Sequence, residues 1–262
     1  MNISRPRGSA AMGWVIILAL GGPALTQARE SAFDSGDSAK AAAYSSVDGD
    51  LAAGQIVSKV LVENERRKES LQHYTVVRTY EIRTHEGKVD AQTVVRMEYR
   101  APDVKTFEKT SEKGSGIVRH LVFDGLMDSE METSSGKKHH DAALTPANYL
   151  FHFIGEEDLG PYHCFVLQAV PKRKDKYLFE GTIWIDSHDF AVAMIDGRPA
   201  KKPSFWVKRV DFVRQYQKVD GFWLPLRDET QVDVKLYGKR VFTIDHGQYA
   251  IQGQPERKIE VE

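Results

Sequence analysis

From residue 177 onward, apolar and β-branched side chains come in short runs that alternate with polar ones and stop at turn residues. The runs cover 177–186, 190–196, 204–217, 222–226, 229–237 and 240–251, separated by Ser187-His188, Asp196-Gly197-Arg198-Pro199, Asp220-Gly221 and Gly238-Lys239. Alternation with turn chemistry at this spacing predicts an antiparallel meander. Ile183 and Ile185 share one face of their strand, with Thr182, Trp184 and Asp186 on the other. In 205–212 the alternation slips after Val207. One extra residue re-aims every side chain beyond it, so the slip predicts a bulge and a bent sheet.

The first half repeats the pattern. Residues 73–83 and 91–100 predict a hairpin across His85-Glu86-Gly87-Lys88, with Val95, Met97 and Tyr99 on one face and Val94, Arg96 and Glu98 on the other. Shorter strands are expected at 104–110, 117–123 and 126–132. Two stretches break the two-residue period. Ala53, Ile56, Val57, Val60 and Leu61 recur at helical spacing, with Lys59, Glu63, Arg66 and Arg67 on the other side. They predict an amphipathic helix over 50–70, capped by Asp50, whose apolar stripe covers a sheet. Thr145 followed by Pro146 is a helix-start signature, so a short buried helix is expected from 146 to about 154.

The first 28 residues have a different character. Arg5 and Arg7 precede the apolar run 14–20, and small residues follow up to Ala28. This is the layout of a secretory signal peptide, and the run is shorter than the roughly 20 apolar residues a spanning helix needs. Removing 28 of 262 residues leaves 234 and, with both arginines gone, takes the formal charge from −1 to −3. Residues 29–49, rich in Ser, Ala, Asp and Gly, read as a flexible leader, and 252–262 as a polar tail.

Cys164 is the sole cysteine, so the fold must rest on its apolar core and not on disulfides. It sits in the alternating run 164–170, as a buried strand residue would. A 41% hydrophobic content suffices for that core, and the near-neutral charge gives no reason to bind nucleic acid. Candidate chemistry is sparse. His139-His140-Asp141 lacks a second ligand pair at metal spacing and sits beside Lys137 and Lys138, as a solvated loop does. Asp186, His188 and Asp189 are ordinary turn residues, and Glu156-Glu157-Asp158 lacks calcium-loop spacing. The basic run 172–176 is either a hairpin tip or a patch for anionic head groups or an acidic partner. No nucleophile elbow, phosphate loop, dinucleotide fingerprint or zinc-protease motif occurs, so neither an enzyme nor a cofactor is expected.

Six segments carry a family resemblance: 121–125 (Leu-Val-Phe-Asp-Gly), 153–160 (Phe-Ile-Gly-Glu-Glu-Asp-Leu-Gly), 171–177, 181–186, 203–208 and 221–225 (Gly-Phe-Trp-Leu-Pro). With the order helix, β meander, apolar insertion, second meander, they resemble the LolA/LolB/LppX superfamily, in the branch called outer-membrane lipoprotein-sorting protein. The likeness covers about residues 50–251. It implies an α+β, mainly antiparallel domain: an unclosed, curved half-barrel covered on its concave side by helices. It further implies a soluble periplasmic carrier whose apolar cavity takes the acyl chain of a lipid or lipoprotein, with transient contact to a membrane or membrane protein. On that reading the expected lining is Val95, Met97, Tyr99, Phe107, Ile183, Ile185, Phe205, Val207 and Trp223. The alternative is a periplasmic interaction or sensing module on the same fold, with a filled cavity.

Overall fold

The computed structural model describes residues 47–102, 104–116, 119, 123, 127, 143–175, 177–201, 207–234 and 238–252. The expected signal peptide, nearly all of the leader, the tail beyond 252, His139-His140-Asp141 and Phe205 lie outside the described residues.

Among the described residues, one long helix precedes ten strands. Helix α1 (Val47–Ser70) is followed by β1 (His73–Thr84), β2 (Val89–Arg100), β3 (Val104–Gly114), β4 (Tyr149–Leu159) and β5 (Tyr162–Pro171). Then come β6 (Phe179–Asp186), β7 (Val192–Pro199), β8 (Val207–Val219), β9 (Phe222–Val234) and β10 (Gly238–Gln252). All ten form one antiparallel sheet in the order β3-β2-β1-β10-β9-β8-β7-β6-β5-β4. The two predicted meanders are therefore one surface, joined by the pairing of β1 with β10. Because β3 and β4 end the order unpaired with each other, the sheet is open, as an unclosed half-barrel is.

Four expectations need correction. The helix starts at Val47, so Asp50 lies inside it and not at its cap. Thr145 and Pro146 start only a single turn, in which the Asn148 and Tyr149 amides donate to the Thr145 carbonyl at 3.0 Å. The chain then runs extended as β4, because Tyr149, Phe151 and Phe153 alternate onto the core while Leu150 and Ile154 face outward, 51% and 55% exposed. Residues 222–234 form one strand and not two; Tyr216 pairs with Pro225 and Gln215 with Arg227, so Leu226 is bulged out without ending the ladder. Where strands were expected at 117–123 and 126–132, the described positions Arg119, Phe123 and Met127 are helical.

Bending is built in at several places. The slip predicted after Val207 is a register shift between Val207 and Arg209. Gly181 faces Gly197 across β6 and β7, and a Cβ on Gly181 would come within 2.1 Å of the Asp196 carbonyl oxygen. Two opposed glycines let the strands approach where side chains would hold them apart. The β8–β9 turn is Asp220-Gly221, with φ of 49° and 85°, the backbone that a two-residue type I′ hairpin requires.

Register places the core on one face. Val76 pairs with Met97, Tyr80 with Ile244 and with Thr93, Arg214 with Ile195, and Ile183 with Leu167, and all of these are buried. Helix α1 lays Ala53, Ile56, Val57 and Val60 over Leu167, Phe179, Ile183, Ile185 and Ile195, so the predicted stripe covers the β5–β7 half of the sheet. Each fully buried Ile or Val contributes about 1.5–3 kcal/mol. Over the other half, Phe123 and Met127 pack on Tyr80, Ile82, Val95, Val210, Phe242 and Ile244. A third cluster, with Tyr74, Val76, Met97 and Leu224 at its centre, continues past these along the same strands.

Candidate functional site

The residues expected to line a cavity fall into different clusters. Val95 and Val207 belong to the cluster under Phe123; Met97 and Tyr99 belong to the third, where Tyr99 stacks on Tyr74 at 5.1 Å. Phe107 touches both. Ile183 and Ile185 lie in the cluster covered by α1. Trp223 is apart from them all, its ring 4.6 Å from that of Tyr162 and its indole N–H donating to Asp189 at 2.7 Å. Of the eight described residues of that set, seven are thus spread over three separate clusters and Trp223 stands outside them.

What the same face does bring together is a polar belt that sequence reading missed. Along β1, Arg78 follows Tyr74 and Val76 and precedes Tyr80 and Ile82. Register sets it directly opposite His246 of β10. Asp228 of β9 lies opposite Ile244 and opposite Arg214 of β8. Arg78, Arg214, Asp228 and His246 are all buried. Arg78, Asp228 and His246 each have the first cluster on one side along their strands and the third on the other, and Arg214 ends the belt beside Phe212 and Ile195 of the second. The signal available beforehand was a polar residue at an inward position of an otherwise alternating strand, as in Tyr74-x-Val76-x-Arg78-x-Tyr80.

Electrostatics hold the belt together. Asp228 accepts from Arg214 Nε at 2.6 Å, and its other oxygen lies 3.1 Å from His246 Nε2. Burial alone would raise the Asp228 pKa, but Arg214 and then His246 outweigh it and hold the carboxyl below its ordinary value. The Arg78 guanidinium stands 5.7 Å from the centre of the Phe107 ring, and its Nη1 donates to the Tyr80 hydroxyl at 3.4 Å.

Other titratable candidates serve structure. Arg67, near the end of α1, donates to the backbone carbonyls of Asp189 and Phe190 at 2.8 and 3.0 Å. Asp189 accepts from Lys218 at 2.6 Å as well as from Trp223, so the turn 186–190 ties the helix end to β8 and β9. Glu156 and Asp158 bracket His163 at 2.9 and 2.7 Å, and Glu157 accepts from the Trp184 indole. Those two contacts raise the His163 pKa, the Asp158 bond contributing most. Cys164 is a buried strand residue, and burial pushes its thiol up to about 11. The basic run caps the β5–β6 connection, with Arg173 turned onto Asn148 at 2.6 Å. A groove of about 350 Å³ is lined by His73, Thr75, Arg96, Glu98, Thr106, Phe107, Glu108 and Gln252. Thr75, Arg96 and Glu98 alternate with Val76, Val95 and Met97, which puts the groove on the face away from the core. No helix among the described residues is long and apolar enough to cross a membrane.

Neither a protein-family model nor a curated protein matches this sequence. Several solved structures are similar in shape. A DUF1329 family protein from Desulfovibrio piger superposes with a TM-score of 0.39 at 12% identity, over 78% of this chain and 94% of its own. A putative outer membrane lipoprotein-sorting protein domain from Vibrio parahaemolyticus gives 0.40 at 11%, over 79% and 95%. A LolA superfamily protein from Nitrosomonas europaea gives 0.35 at 10%, over 78% and 94%. Likenesses this loose transfer neither ligand nor partner.

Proposed function

We propose that the mature protein, freed of residues 1–28, is a soluble periplasmic carrier for the acyl chain of a lipid or lipoprotein. Its binding domain spans about residues 50–251, and its binding surface is the apolar face of the open sheet. One observation carries this reading: Phe123 and Met127, which cover Tyr80, Val95 and Phe242, come from the connection between β3 and β4 and not from the sheet. Such a cover can part while every β ladder stays intact. A methylene moved out of water gains about 0.8 kcal/mol here or in a bilayer, so chain transfer between the two runs near parity and is reversible. Native mass spectrometry with organic extraction, on protein prepared gently from a periplasm, tests it. A stoichiometric lipid-sized adduct is expected. A homogeneous apo mass in protein that also takes up no radiolabelled palmitate overturns the proposal.

A second reading, a periplasmic interaction or sensing module, is favoured by a different observation. Val95 and Met97 are fully buried by the protein's own side chains, as in a filled core, while edge strand β4 shows Leu150 and Ile154 to solvent. An unprotected apolar edge is a surface onto which a partner strand can add. Loss of partner binding in Ile154→Lys, with lipid uptake absent throughout, is the pattern this reading expects.

A further inference from the structure

We infer that the ligand is anionic at its head, and that Arg78, Tyr80 and Thr93 form the seat of that head group within the core face. The inference rests on the carrier reading and adds the chemical class of the cargo. Thr93 of β2 pairs directly with Tyr80, and Arg78 is one step along β1 on the same face. Thr93 is fully buried, and its hydroxyl has no hydrogen-bond partner among the described residues. Val has the same branching and nearly the same volume, so packing alone gives no reason for a hydroxyl there. An unpartnered buried donor is costly, and a ligand oxygen placed beside it removes that cost.

Arg78 supplies the matching charge. Its guanidinium is held by the Phe107 ring on one side and the Tyr80 hydroxyl on another, which fixes a planar fork where the polar belt meets the hydrocarbon of the first cluster. Carboxylate and phosphate oxygens suit that fork, and charge-assisted bonds are worth most where water is excluded. The seat adjoins the patch under Phe123 and Met127, where Ala91, the smallest side chain of that cluster, lies next to Thr93 on β2. A chain running from Arg78 over Val95 and Ala91 passes beneath this cover. A fatty-acid carboxylate and a phospholipid phosphate share the chemistry, and measurement separates them.

Equilibrium dialysis of the full chain against palmitate, 1-palmitoyl-lysophosphatidate and 1-hexadecanol tests the inference, since the three share a sixteen-carbon chain and differ at the head. One or both anionic ligands are expected to bind at least about tenfold tighter than the alcohol, and whichever does identifies the source. Thr93→Val, which loses no internal hydrogen bond, is expected to weaken the anionic ligands several-fold and leave hexadecanol unchanged; Arg78→Gln, if it folds, is expected to abolish the preference. Equal binding of all three overturns the head-group seat and leaves the carrier reading in place. A preference that is undiminished in Thr93→Val overturns the assignment to these residues. Failure of all three to bind overturns both.

Discussion

Asp228 takes the Nε–H of Arg214 at 2.6 Å, and their side chains are only 6% and 8% exposed. Removing one partner of a buried ion pair leaves the other charge in a medium that cannot solvate it, a loss of about 3–5 kcal/mol. Asp228→Asn should therefore be strongly destabilising in urea unfolding, whereas the apolar double variant Arg214→Met/Asp228→Leu should lie much closer to wild type. A cost below about 1 kcal/mol for Asp228→Asn would mean that water reaches the pair.

The same carboxylate sets an acid limit. Its pKa is lowered in the folded protein, so its contribution is fully present above the unfolded value, about 3.9, and is lost as pH falls through the lower folded value. Thermal unfolding followed from pH 6 downward should show a steep fall below about pH 4 that Asp228→Asn largely lacks. Parallel curves for the two proteins would place the acid sensitivity elsewhere.

His163 titrates in the opposite sense. Asp158 and Glu156 raise its pKa, so whatever it contributes is fully present below the ordinary histidine value and is lost as pH rises through the folded one. An NMR titration should find the His163 ring protonating above about pH 6.5, and substituting Asp158 by Asn should move it back down.

Two glycines make opposite predictions. Gly54 lies exposed within α1 with nothing within 4 Å of an added Cβ, so Gly54→Ala should stabilise by up to about 1 kcal/mol. Gly181→Ala drives its methyl into the backbone of β7, and a packed strand cannot yield as a side-chain tip can. That overpacking should cost at least about 1–3 kcal/mol, read in the same denaturation experiment.

Helix α1 has its own anchor in Arg67. Arg67→Ala removes two charge-assisted bonds to the 189–190 carbonyls and should cost about 1.5–3 kcal/mol per bond at most, less for the part that stays hydrated. Hydrogen exchange in the last turns of α1 should rise ahead of exchange in β1, where the ladder to β10 is untouched.

Elements with a clean period could be read directly. Ala53, Ile56, Val57 and Val60 announced α1 and proved to be its buried stripe, and the broken alternation after Val207 announced the bulge found there. Residues 149–154 misled because Leu150 and Ile154, apolar but exposed on an edge strand, hid the two-residue period of Tyr149, Phe151 and Phe153. The belt of Arg78, Arg214, Asp228 and His246 was hidden for another reason. Each member is one polar residue in its own strand, and the four meet only through register, with 168 positions separating Arg78 from its neighbour His246.

By itself, then, the sequence determined local form where a period was clean: the strands within 73–100 and 177–251, the buried stripe of α1 and the turns between those strands. These follow from periodicity and backbone preference, which act over a few residues. The pairing of β1 with β10, the open edges, the three separate clusters and the assembly of the polar belt were decided only in the tertiary structure. Strand order depends on which faces can be buried together, and that is a property of the whole sheet that no single segment carries.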